Sequence, residues 1–286
     1  MRSVSKIRPS PIAGSWYPSD AKQLAQEVDQ YIRQASSEIT AGEIKGILVP
    51  HAGYRYSGVT AGHAFGRINA CEFDLVVILS PYHSYHPGLI LSSDHQKYET
   101  PLGTVPIDRD LLDRLDQNLK MNQGLKLDSV AYDQEHSLEI ELPFLQRSLK
   151  SPFFLLPLMV RSVDNVFAKQ IAAVIFELIK YRNCLIVIST DLSHFYSQPV
   201  AEKLDKTMLD AISSFSSEAV FQTEEAGRGF ACGLGAILIG LELTRLMGAD
   251  KIEILAHSTS GEQTGDWSSV VGYGAAVILN SLEPRK

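Results

Sequence analysis

The feature that most constrains this chain is a repeated pattern: apolar, β-branched runs alternate with segments of helical spacing. The strand-like runs are "GILVPH" (46–51), "LVVILSPYH" (75–83), "GLILSS" (88–93), "FFLLPLMV" (153–160), "CLIVIST" (184–190), "KIEILAHS" (251–258) and "SVVGYGAAVIL" (269–279). Runs without polar alternation belong to strands covered on both faces. Between several of them lie helical patterns. Residues 19–35 place Leu24, Val28, Tyr31 and Ile32 on one stripe, with Ser19 as the expected N-cap, and residues 164–181 and 232–248 repeat the pattern. Strands separated by helices require crossover connections. The expectation is an α/β three-layer sandwich with a central mixed, largely parallel sheet and helices on both faces. The last two strands, joined by the turn-rich "STSGEQTGDWS", also admit an antiparallel hairpin. With no internal repeat or linker-like stretch, residues 1–286 read as a single domain.

Composition narrows the function classes. A net charge of −7 and no local basic run argue against a nucleic-acid or anionic-membrane surface. No stretch is apolar for the length a membrane span needs. The opening "MRSVSKIRPSPIAG" has charge but no apolar segment, so no secretory signal is expected. Cys71, Cys184 and Cys232 are odd in number and far apart, which fits free thiols in a reducing cytoplasm.

Ligands of open α/β sheets collect at the carboxyl ends of the strands. His51 follows "GILVP", His83 follows "VVILSPY", and "LIVISTDLSH" runs into Asp191 and His194; His257 lies near the end of "KIEILA". If the first three strands are parallel neighbours, their imidazoles and Asp191 share one crevice. Residues three apart face opposite ways on a strand and share a face on a helical turn, so a tight turn or a first helical turn is expected at Asp191. The same spacing also suits Asp191 as an N-cap with His194 on the surface. Gly53 and Gly58 beside His51 allow backbone to approach a ligand. His63 reads as helix surface or packing, His95 as loop, and one of His83 and His86 as solvent-facing.

Two other stretches carry chemistry. In "DQEHSLEIELPFLQRSL" (133–149), Ser137 is a candidate N-cap before Leu138, Leu142, Leu145 and Leu149. Glu139 then reads as a solvated helix-start carboxylate. Glu135 and His136 read either the same way or as an acid–base or supporting pair for a metal-bound histidine. In "RGFACGLGAILIG", Cys232 stands where glycine-rich chain meets an apolar helix; a helix N-terminus there would lower its pKa, while the alternative is a small buried hydrophobe.

Taken together, the blocks "PIAGSWYPSD", "VPHAGYRYSG", "VVILSPYH", "ETPLGTVPID", "QEHSLEIELPFLQ", "ISTDLSHF", "ACG" and "STSGEQTGDWSSVVGYGA" resemble the Memo family, including its bacterial and archaeal members called AmmeMemoRadiSam system protein B. The resemblance covers nearly the whole chain. It implies a fold similar to class III extradiol dioxygenases, which use non-haem iron, and a metal pocket lined by His51, His83 and Cys232 with Asp191 and His194 beside it. It also implies a functional link to a radical-SAM protein. Two departures change the neighbours of the implied ligands. The family commonly has Gly-Pro-Asn-His where this chain has Ser80-Pro81-Tyr82-His83, and a small residue and Pro where it has Leu234-Gly235.

The leading expectation is a metal-dependent redox enzyme of unknown substrate, with His51, His83 and Cys232 as ligands and Fe(II) as the first choice of metal. A thiolate in the set also admits Cu or Zn. Asp191, His194, His136 and Glu135 would orient substrate or move protons. The alternative is a non-enzymatic scaffold that keeps the pocket for peptide or protein ligands. A hydrolase using Cys232 or Ser258 with His194 and Asp191 ranks third, because no Gly-x-Ser-x-Gly elbow occurs.

Overall fold

A computed structural model describes residues 5–34 and 42–282. The first four residues of the N-terminal segment and residue 35, the expected end of the first helix, lie outside the described residues. The strands in chain order are β1 (Ile7–Arg8), β2 (Glu43–Val49), β3 (Leu75–Pro81), β4 (Ile90–Ser93), β5 (Lys97–Thr100), β6 (Gly103–Pro106), β7 (Leu127–Val130), β8 (Phe154–Val160), β9 (Cys184–Ser189), β10 (His194–Tyr196), β11 (Lys251–Thr259) and β12 (Val270–Asn280). The helices are α1 (Ala21–Gln34), α2 (Tyr54–Arg67), α3 (Arg109–Gln123), α4 (Leu142–Ser148), α5 (Asn165–Ile179), α6 (Gln198–Ser213), α7 (Ser217–Glu225), α8 (Leu234–Leu246) and α9 (Gly261–Thr264).

The fold is α/β, a large mixed sheet flanked by helices. At its centre β2, β9, β3 and β8 run parallel and adjacent, with Leu48 opposite Ile188 and Leu79 opposite the same residue from the other side. Every residue of β3 and β9 is buried, as strands between two helical layers must be. Toward the margins the pairing turns antiparallel: β4 against β8, β12 against β2, and the expected hairpin of β11 and β12. Helices α1, α2 and α4 pack together, as do α3, α5, α7 and α8, and α8 covers β3, β8 and β9. The strands β1, β5 and β6 form a separate three-stranded sheet.

Three local expectations are corrected. Helix α1 is opened by Asp20, whose Oδ1 accepts the Gln23 N–H at 2.8 Å, and not by Ser19. No turn or helix forms at Asp191; residues 190–193 are irregular, held by Leu192 N–H to Gly272 O and Gly272 N–H to Ser193 O. Ser137 does not cap a helix. Its hydroxyl donates to Pro81 O at 2.7 Å, and a 3-10 turn, Glu139–Glu141, precedes α4.

The largest correction is Glu139, which is fully buried. Its carboxylate is bonded by the Arg8 guanidinium and by the hydroxyls of Ser10 and Tyr17. Arg8, itself 1% exposed, also donates to Asp133 Oδ1 at 2.6 Å and to Glu135 O at 2.8 Å, and its guanidinium lies 4.9 Å from the Tyr98 ring centre. This network ties β1 to the segment 133–141, which crosses the ends of the central strands. A buried charge left without its partner costs far more than the pair contributes. Arg8→Met, which leaves both Asp133 and Glu139 without their counter-charge, should therefore lower unfolding stability by about 3–5 kcal/mol. Arg8→Met combined with Asp133→Asn and Glu139→Leu should lose much less than Arg8→Met alone. Urea titrations of the variants check both statements.

Candidate metal centre

The carboxyl ends of β2, β9 and β3 open into one cavity of about 410 Å³. Its walls include Trp16, Tyr56, Val271 and Tyr273, and into it project His51, His83, His136, His194 and Asp191. Of the eight histidines, four thus face one space. The others do not: His95 is buried, with Nδ1 donating to Ser5 O at 2.7 Å, and His257 pairs with Asp205 at 2.9 Å. His86 Nδ1 accepts the Gly88 N–H, and His63 lies on α2.

His51 leaves β2 two residues past its end and is 1% exposed. Its Nδ1 is 2.9 Å from Ser189 Oγ, and its backbone N–H donates to Asp191 Oδ1 at 2.8 Å. Burial disfavours charge on this ring and holds its pKa well below the usual range, with His136 and His83 adding to the effect. His83 follows β3, and its Nδ1 is 2.9 Å from Glu135 Oε1 while its backbone N–H donates to Oε2 at 2.6 Å. Burial opposes protonation of His83, but Glu135 and Asp191 outweigh it and raise its pKa. His136 stacks on His83, ring centres 4.7 Å apart and 11° from parallel, and Trp16 stacks on its other side at 4.0 Å. Burial pushes the His136 pKa down to about 4, with Glu135 opposing and His83 reinforcing the shift.

Glu135 is the hinge of this arrangement. Besides the two contacts from His83, its Oε1 accepts the backbone N–H groups of His136 and Ser137, each at 2.9 Å. Burial alone would raise its pKa; the hydrogen bond and charge of the His83 ring and the backbone N–H groups of His83 and Ser137 reverse that and hold it far below the carboxylate range. Asp191 is buried and accepts backbone N–H groups of His51 and Ala52, yet burial still pushes its pKa up to about 7. His194 donates from Nδ1 to Leu192 O at 2.8 Å, so Nε2 is the nitrogen left to the cavity. Its pKa is lowered, chiefly by burial.

Cys232 stands two residues before α8, with Gly233 between. A side chain on Gly233 would come within 2.7 Å of Ser189 O, so only glycine lets this loop close on β9. The thiol accepts the Asp191 N–H at 3.2 Å and lies 3.1 Å from His51 Nε2, the ring nitrogen that does not meet Ser189. The lowered pKa expected for it does not occur: burial, then the charge of Asp191, raise it strongly and keep the thiol protonated.

His51, His83 and His136 each offer a nitrogen, and the three atoms lie within 4.8 Å of one another. Ligand atoms about 2.1 Å from a tetrahedral ion are roughly 3.4 Å apart, so modest closing would fit one ion. The group can hold a metal. Trp16, Ser189 and Glu141 are additional residues of the site; Ser189 ends β9 and all three fall inside the quoted blocks, but nothing in their spacing marks them.

Because the folded-state pKa of Glu135 is depressed, its stabilising contribution is fully present above the unfolded value of about 4.3 and is lost as pH falls toward the folded value. Glu135→Gln should be clearly less stable than the parent at pH 7, with the gap shrinking between about pH 4 and pH 2. Denaturant midpoints across that range check it.

Comparison with known proteins finds similarity over nearly the whole chain. Residues 8–277 match the family described as "Memo-like protein". A "MEMO1 family protein" of Nitrosopumilus maritimus is 33% identical over 277 residues, 96% of this chain and all of the relative. Those of Aquifex aeolicus and Methanococcoides burtonii are 35% and 34% identical over 96% and 95% of this chain, again covering the whole relative. Among the described residues no helix is long and apolar enough to cross a membrane. A match that spans both the histidine-bearing strand ends and the segment that supports them means that the chain belongs to the Memo family.

Proposed function

We propose that the cavity is a metal-dependent redox site acting on a small molecule. One observation carries this reading: three imidazoles, two of them kept neutral by burial, converge at the ends of adjacent parallel strands with a buried carboxylate fixing one ring from behind. His51, His83 and His136 would hold the ion, and the Cys232 thiol is placed to join them at His51 on loss of its proton. An imidazole set with open positions suits Fe(II) first, with Cu and Zn as competitors, and a bound redox metal would supply electron transfer or dioxygen chemistry.

The chain's own groups account for the rest. Asp191, with its pKa moved up to about 7, can accept or release a proton near neutral pH. His194, its Nδ1 committed to Leu192 O, presents Nε2 to a substrate hydroxyl. Trp16, Tyr56, Val271 and Tyr273 provide an apolar wall, and among the described residues no lysine or arginine lines the cavity to anchor a strongly anionic ligand. A volume of about 410 Å³ suits one small organic molecule or one side chain of a larger ligand.

Protein purified without chelators should carry or take up about one equivalent of metal by elemental analysis. His51→Ala and His83→Ala should each abolish that uptake, and normal uptake by both variants would overturn the reading. Trp16, stacked on His136, provides an independent signal. In a Trp267→Phe background, its fluorescence should be quenched by Cu(II) or Fe(II) in the parent but not in His136→Ala. Oxygen consumption by metal-loaded protein over a panel of catechol-like and redox-active small molecules tests turnover. Its absence across the panel with metal bound would favour a binding role.

A further inference from the structure

Behind His51 lies a buried row of polar groups that the proposed chemistry does not use. The last residue of β9, Ser189, has its hydroxyl oxygen 2.9 Å from His51 Nδ1, 2.7 Å from the Ser137 carbonyl oxygen and 2.9 Å from Glu141 Oε1. Ser189, His51 and Glu141 are each at most 1% exposed, so water does not share these contacts. A hydroxyl has one proton to give and two lone pairs to accept with. The Ser137 carbonyl can only accept, so the Ser189 proton must go there. The other two contacts must then be donated to Ser189, one from an Nδ1–H of His51 and one from Glu141. A carboxylate cannot donate; a carboxylic acid can. Any other placement sets two lone pairs against each other in a dry interior, which costs more than the bond it would make.

We infer that Glu141 is a neutral carboxylic acid that donates to Ser189, and that Ser189, its own proton held by the Ser137 carbonyl, is the positioning residue that locks His51 as the Nδ1–H tautomer and leaves its Nε2 lone pair available to a metal. Burial favours the same neutral form of Glu141, raising its pKa well above the carboxylate range. The Cys232 thiol at Nε2 fits this assignment, since a protonated sulfur donates to an unprotonated nitrogen. The inference rests on the metal reading and deepens it. The two strand-end histidines then differ in kind. His83 is backed directly by the ionised Glu135, which draws a proton onto its ring, whereas His51 is backed by a hydroxyl, itself bonded to a neutral acid, that orients the ring without adding charge. Groups that fix a ligand's tautomer typically change metal affinity by about 10–100-fold when removed.

The test combines Co(II) titration with ¹⁵N NMR of the His51 ring in metal-free protein, for the parent and for Glu141→Gln, Glu141→Leu and Ser189→Ala. Glu141→Gln keeps an N–H donor toward Ser189 and should retain the Nδ1–H tautomer, with affinity within about 3-fold of the parent. Ser189→Ala should populate the Nε2–H tautomer and bind about 10–100-fold more weakly, whereas Glu141→Leu, in which Ser189 still donates to the Ser137 carbonyl, should keep the Nδ1–H tautomer. The inference is overturned if Ser189→Ala keeps the parental tautomer and affinity, or if ¹³C NMR of the Glu141 side-chain carboxyl in the parent shows an ionised carboxylate at pH 7. If Glu141→Leu does not fold, the contrast between Glu141→Gln and Ser189→Ala decides. The ring NMR requires no metal. A parent that binds no Co(II) but shows the locked tautomer would therefore sink the metal reading and leave the assignment of Ser189 standing.

Discussion

The structure turns on the burial of three glutamate side chains, Glu135, Glu139 and Glu141, in a seven-residue segment. Taking a carboxylate out of water is prohibitive unless charge or hydrogen bonds replace the solvent, or the group gives up its charge. Each of the three is compensated differently. Glu135 collects the His83 ring and three backbone N–H groups and stays ionised. Glu139 is matched by Arg8 and two hydroxyls. Glu141 meets a single serine and is raised toward the neutral form. Because each partner belongs to a different element, the segment has one place to lie: across the ends of β3 and β9, with β1 clamped beneath it.

That placement explains the character of the cavity. Desolvation weakens the basicity of His51, His136 and His194 and strengthens that of Asp191, so that groups with ordinary pKa values two to three units apart are drawn toward one another. His83 alone is moved the other way, by the ionised carboxylate behind it. The unprotonated imidazoles of His51, His136 and His194 beside a carboxyl moved up to about 7 suit holding a cation and exchanging protons with a ligand. The Trp16–His136–His83 stack orders the rings, with His83 11° and Trp16 28° from the plane of His136.

Part of this is legible in the chain. The strands β2, β3, β8 and β9 are visible because both their faces are covered, which leaves no polar alternation to obscure them. The marginal strands β5, β6, β7 and β10 are three or four residues long and largely polar or exposed, and helices α3, α6 and α7 were not singled out by the apolar runs. The ends of the legible strands carried His51, His83, Asp191 and His194 to the crevice without requiring a helical turn at Asp191. The bulge where β10 meets β12, between His194 and Tyr196, instead sets the approach of His194.

The sequence by itself determined the layered α/β architecture and the edge at which imidazoles and a carboxylate emerge, because apolar periodicity and strand ends are local properties. It could not determine the state of the glutamates. A helix-start spacing read Glu139 as solvated, but the partner that removes it from water, Arg8, is 131 residues away, and the serine that receives Glu141 is 48 residues away. Whether a polar group is charged, neutral, ligand or support depends on what the fold sets against it at about 3 Å, and that is decided only when distant segments meet.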